Sequence, residues 1–176
     1  MISLYSLIVK QSSFKSPSVI IPPIWQTILL SDGSLTRHLE ILLGTPVELQ
    51  IQTIANIQLR DYSERFICSK ICYPQISRQV WLSAHNKGNI VYANSIWNTK
   101  ILSEFITNER LPIGRLFIDL ELDICKQIYQ IEYVHSYELE RKFQYVGPFW
   151  SRQYFLMHHG EILASIQEFF SPILGW

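Results

Sequence analysis

Ile76-Ser77-Arg78-Gln79-Val80-Trp81-Leu82-Ser83-Ala84, then His85-Asn86-Lys87-Gly88, then Asn89-Ile90-Val91-Tyr92-Ala93-Asn94-Ser95-Ile96-Trp97, is the stretch on which the fold turns. Two β-prone runs joined by a short polar segment ending in glycine predict an antiparallel hairpin. A second hairpin is predicted where Gln153 to His158 and Glu161 to Phe169 flank His159-Gly160. Alternation from Val47, with Val47, Leu49 and Ile51 on one side and Glu48, Gln50 and Gln52 on the other, predicts a half-buried strand. Phe66 to Tyr73 and Ile124 to Val134 read as further strands.

Helical segments are interposed. Ile24 to Leu30 is short and apolar, and Asp32-Gly33 breaks it. Ser34 can cap a second helix in which Leu35, Leu39, Leu42 and Leu43 recur at helical spacing before Gly44 stops it. Thr99 to Asn108 and Ser136 to Phe143 carry the other helical patterns. Neighbouring hairpins with helices between them predict an α+β domain built on a single antiparallel sheet. Parallel winding is disfavoured, because no glycine-rich loop follows a strand. The expected organisation is an amino-terminal arm, residues 1–23, and one domain over residues 24–176.

At 176 residues and 48% hydrophobic content the chain suits one sizeable core. Charged residues are only 17% and balance to zero, which argues against nucleic acid and anionic lipid as partners. No apolar run is long enough to span a bilayer, so a soluble protein without membrane insertion is expected. Met1 to Pro23 lacks the pattern of a signal or transit peptide and reads as part of the mature protein. Alanine occurs at only four positions while Ile, Tyr, Phe, Asn and Gln abound, which suggests an organellar or otherwise AT-rich genome. Cys68, Cys72 and Cys125 are expected to be buried reduced thiols.

Two charges stand out. Arg78 lies in an alternating strand, and Glu168 lies inside Ile162-Leu163-Ala164-Ser165-Ile166-Gln167-Glu168-Phe169-Phe170. An ordinary cross-strand ion pair accounts for most such arginines. A carboxylate in an apolar run needs a buried partner or a ligand hydroxyl, unless alternation turns it to solvent on the outer side of the sheet. Guanidinium and carboxylate together suit a small, acidic, hydroxylated ligand. Hydrolase elbows, zinc-protease helices and paired Cys-x-x-Cys motifs are absent, and no metal or nucleotide cofactor is indicated. His158 and His159 are expected on opposite sides of a strand, at a polar hairpin end, and His38, His85 and His135 without partners.

Leu29-Leu30-Ser31-Asp32-Gly33-Ser34-Leu35-Thr36-Arg37, the Arg78 strand, Leu111-Pro112-Ile113-Gly114-Arg115-Leu116 and Gly147-Pro148-Phe149-Trp150-Ser151-Arg152, in that order before Glu168, resemble the chorismate pyruvate-lyase family, particularly its plastid and cyanobacterial branch. The resemblance implies an α+β fold whose helical flaps cover an internal ligand pocket. It implies a cofactor-independent carbon–oxygen lyase, a monomer acting on chorismate to give 4-hydroxybenzoate and pyruvate, for quinone head-group synthesis. The setting would be a chloroplast stroma, or the cytoplasm if cyanobacterial. Arg78 would hold the ring carboxylate and Glu168 the ring hydroxyl, as catalytic residues. The backbone amides of Leu35 and Ile113, which stand where the family has Met and Leu, would also bind the carboxylate. Trp150 and Arg152 read as a core aromatic with a surface arginine. A non-catalytic aromatic-acid binder of the same fold, and a scaffold with a degenerate pocket, are the alternatives.

Overall fold

The computed structural model describes residues 1–8, 21–57, 70–105 and 123–175. Its elements run β1 (Ile2–Ile8), α1 (Pro23–Leu30), α2 (Leu35–Leu43), β2 (Val47–Asn56), β3 (Gln75–Ala84), β4 (Gly88–Asn98), α3 (Thr99–Phe105), β5 (Ile124–His135), α4 (Tyr137–Phe143), β6 (Phe149–His158) and β7 (Glu161–Phe170), with a closing 3₁₀ turn at Pro172–Gly175. The seven strands form one antiparallel sheet in the order β1-β5-β6-β7-β4-β3-β2. This is the α+β architecture expected from the two hairpins. Ile2–Ile8, inside the amino-terminal arm, forms the edge strand beside β5.

Local chemistry sets the turns. His159 and Gly160 both have positive φ, 48° and 83°, which gives β6–β7 the tight turn that matches strand twist. Ser34 Oγ accepts from Arg37 N–H at the start of α2, and Gly44 ends that helix at φ 64° with its N–H on Glu40 C=O. Ser136 caps α4 in the same way through Leu139 N–H.

Helices cover both faces of the sheet. α1 and α2 pack Trp25, Ile28, Leu29, Leu35 and Leu39 against Leu82, Val91, Ile131, Trp150 and Phe170. On the other face, Leu139 and Phe143 of α4 pack against Trp81, Tyr92, Phe149 and Phe169. Three expectations change. Lys70 to Tyr73 are turn and bend rather than strand, and residues 66–69 of that segment lie outside those described. Cys72, in that turn, and Cys125, at the start of β5, are exposed free thiols, because neither sits under a helix-covered part of the sheet. His159 belongs to the turn, so its ring lies 4.0 Å from that of His158 rather than across the sheet. Cys68 and Ile113, and the end of the Thr99 to Asn108 helix, fall outside the described residues.

Candidate functional site

Directly paired residues of an antiparallel sheet share a face, and so do residues two apart on one strand. Arg78 pairs with Ser95, and Ser95 with Ile166. Glu168 pairs with Ala93, which pairs with Val80, two residues beyond Arg78. No bulge intervenes, so Arg78 and Glu168 stand on the same face, the one covered by α1 and α2. Their Cα atoms are separated by two strand spacings and two residues, roughly 12 Å. Both are buried, at 2% and 5% exposure.

Glu168 is not alone. Arg152, directly opposite on β6, donates from Nε to Glu168 Oε2 at 2.6 Å, and Tyr154 O–H donates to Glu168 Oε1 at 2.8 Å. Arg152 is completely buried, which overturns its reading as a surface arginine. Its Nη1 donates to the carbonyls of Ile28 at 2.7 Å and Ser31 at 3.0 Å. Those carbonyls belong to the last turn of α1, where a helix leaves its acceptors unsatisfied and its dipole favours a cation. One guanidinium thus caps α1 and neutralises Glu168. Arg152 Nη2 has no hydrogen-bond partner among the described residues.

The same face continues onto β5. Lys126 pairs with Leu156, two residues from Tyr154. Its half-buried ammonium donates to Gly33 C=O in the α1–α2 turn and lies 5.4 Å from the Tyr154 ring centre. Burial first, and then the positive charge of Arg152, lower its pKa to about 8, against the pull of Glu168 and Asp32. Burial and the neighbouring Glu168 carboxylate push the Tyr154 phenol well above its ordinary value, so it stays a donor.

Chemically, the face offers two guanidiniums, an ammonium, a phenol and a carboxylate under an apolar lid. Glu168 accepts one bond on each oxygen and keeps acceptor capacity for a ligand hydroxyl. Leu35 is the first residue of α2, so its N–H precedes the helical hydrogen-bond ladder and suits a carboxylate. Sequence reasoning missed Arg152, Tyr154 and Lys126 as members of this cluster. For Arg152 and Tyr154 the available signal is the Trp150-x-Arg152-x-Tyr154 alternation, which puts both on the side of a core tryptophan. His38 and His135 do have partners, Ser31 Oγ at 2.9 Å and Glu140 at 3.4 Å. A separate cleft of about 430 Å³ beside Lys87, Asn89, Lys142 and Tyr145 contains none of these groups. No cluster of His, Cys, Asp and Glu among the described residues is placed to hold a metal.

Residues 29–176 match the model of the Rv2949c-like chorismate pyruvate-lyases. The chain belongs to that family. Relatives named as uncharacterized protein ycf21 are 38% identical in Porphyra purpurea and 33% in Pyropia yezoensis, each over 88% of this chain and 84% of the relative. The Cyanophora paradoxa ycf21 protein is 29% identical over 89% of this chain and 81% of its own length. Among solved structures, the effector domain of PhnF from Mycobacterium smegmatis superposes with a TM-score of 0.60 at 7% identity, covering 82% of this chain and 92% of that one. YydK, a possible transcriptional regulator of Bacillus subtilis, gives 0.58 at 10% identity over 73% of this chain, which spans 60% of YydK. These structures share the fold with the lyase family member described here. Among the described residues no helix is long and apolar enough to cross a membrane.

Proposed function

We propose that the protein converts chorismate into 4-hydroxybenzoate and pyruvate. The observation that carries this reading is the buried sheet face shared by Arg78 and Glu168, in a chain of the chorismate pyruvate-lyase family. Arg78 and the Leu35 amide would hold the ring carboxylate, with the Ile113 amide as a third donor. Glu168, fixed by Arg152 and Tyr154, would accept from the ring hydroxyl. In the reaction the ether C–O bond breaks, the hydroxyl-bearing ring carbon loses its proton, and the departing enolpyruvate takes one up to become pyruvate. Aromatisation supplies the driving force, so the protein's work is to hold the ring in the eliminating geometry and to stabilise charge as it moves. Glu168 would receive or relay the ring proton.

A plastid stroma is the proposed setting and plastoquinone head-group synthesis the proposed use. Membership with the ycf21 proteins and the alanine-poor composition support the setting. The test is incubation with chorismate, following 4-hydroxybenzoate by chromatography and pyruvate by a coupled assay. Equimolar release, lost in Arg78→Gln, is expected. Folded protein that saturates with 4-hydroxybenzoate but releases neither product would instead favour a binding protein, the reading that the shared fold with effector domains supports.

A further inference from the structure

Lys126 is not needed to hold Glu168, yet it reaches into the same cluster from its far side. Arg152 already neutralises Glu168 through a 2.6 Å bond and gives its Nη1 to the carbonyls at the end of α1. The Lys126 ammonium is left with a backbone carbonyl, Gly33 C=O, and the face of Tyr154. A neutral carbonyl is a weak partner for a half-buried cation, and a carboxylate brought beside it would form a stronger, charge-assisted bond. Arg78 on β3 and Lys126 on β5 lie on the same face with Glu168 between them in strand order.

Resting on the lyase reading above, we infer that Lys126 binds the second carboxylate of the dianionic substrate, the one on the enolpyruvyl arm, in exchange for the Gly33 carbonyl. Arg78 then reads the carboxylate that substrate and product share, and Lys126 reads the one that only the substrate carries. The product, a monoanion at neutral pH, makes no such contact, and Lys126 returns to Gly33 and closes the α1–α2 turn over an emptied subsite. Discrimination between substrate and product is thereby built into one side chain.

The experiment compares wild type with Lys126→Gln and Lys126→Arg, measuring KM for chorismate, or Kd if no turnover occurs, and Kd for 4-hydroxybenzoate. Lys126→Gln is expected to weaken chorismate at least about tenfold while 4-hydroxybenzoate changes less than about twofold, and Lys126→Arg recovers most of the loss. In wild type, kcat/KM for chorismate should fall as pH rises through about 8, where Lys126 loses its proton, and this limb should vanish in Lys126→Arg. Among the described residues, the other charged or titratable groups about the ammonium are Arg152, Glu168, Asp32 and Tyr154, with His38 packed against Gly33, and all persist in that variant. Equal losses for both ligands would make Lys126 a tether of the turn and overturn the inference, as would an unchanged affinity for chorismate or wild type that does not saturate with it. Lys126-dependent chorismate binding without product release would remove the lyase reading and leave this inference standing.

Discussion

Strands β6 and β7 look onto two different interiors. On one side Phe149 and Phe169 join Trp81, Tyr92, Leu139 and Phe143, with Phe143 stacked 5.2 Å from Phe149 and set edge-on 5.0 Å from Trp81. On the other, alternate residues of the same two strands are Arg152, Tyr154 and Glu168, bonded to one another under α1. The aromatic side needs nothing but shape, because apolar rings gain from burial wherever they pack. The charged side has to recover a desolvation penalty through hydrogen bonds, and an all-apolar replacement would cost a fold little or nothing. On the function proposed above, the charge there serves a ligand, whereas the aromatic side serves stability.

That contrast can be broken by mutation. Glu168→Leu strands the Arg152 guanidinium and should cost about 3–5 kcal/mol in urea unfolding. Adding Arg152→Met should restore most of this stability while 4-hydroxybenzoate binding stays lost. A double variant that recovered binding along with stability would show that the charges serve the fold alone. Phe149→Ala, on the aromatic side, should also cost about 3–5 kcal/mol. Its effect on ligand affinity should vanish, however, once the measurement is made where the variant is fully folded.

Much of this was legible beforehand, and particular residues explain what was not. The hairpin around His85-Asn86-Lys87-Gly88 and the capping of α2 by Ser34 and Gly44 depend on local chemistry, which a sequence displays. The partner of Glu168 depends on register. A two-residue turn pairs His158 with Glu161 and Met157 with Ile162, and continued unbroken it would set Gln167 opposite Arg152. A bulge at Leu156/Met157 shifts the pairing by one residue and brings Glu168 there instead. A one-residue slip reverses every side chain, and nothing in the composition of Ile162-Leu163-Ala164 announces it. Arg152 looked like a surface residue for the same reason: its other partners are backbone carbonyls of Ile28 and Ser31, more than a hundred residues away in sequence.

A smaller effect sharpens the comparison further. Ser34→Ala removes the cap of α2 and should cost about 1 kcal/mol. Because α2 covers the charged face, that loss should appear as faster release of 4-hydroxybenzoate in stopped-flow measurements. Glu138→Gln, which removes the exposed Glu138–Lys142 pair from α4 over the aromatic face, should shift stability by no more than about 0.5 kcal/mol and leave release unchanged.

A crystal structure with 4-hydroxybenzoate bound tests the central claim most directly. The carboxylate is expected within hydrogen-bonding distance of the Arg78 guanidinium and the Leu35 amide, and the hydroxyl on a Glu168 oxygen, with the ring between the sheet and α1–α2. A ligand seated instead in the cleft beside Lys142 and Tyr145, or with its carboxylate away from Arg78, would contradict the account.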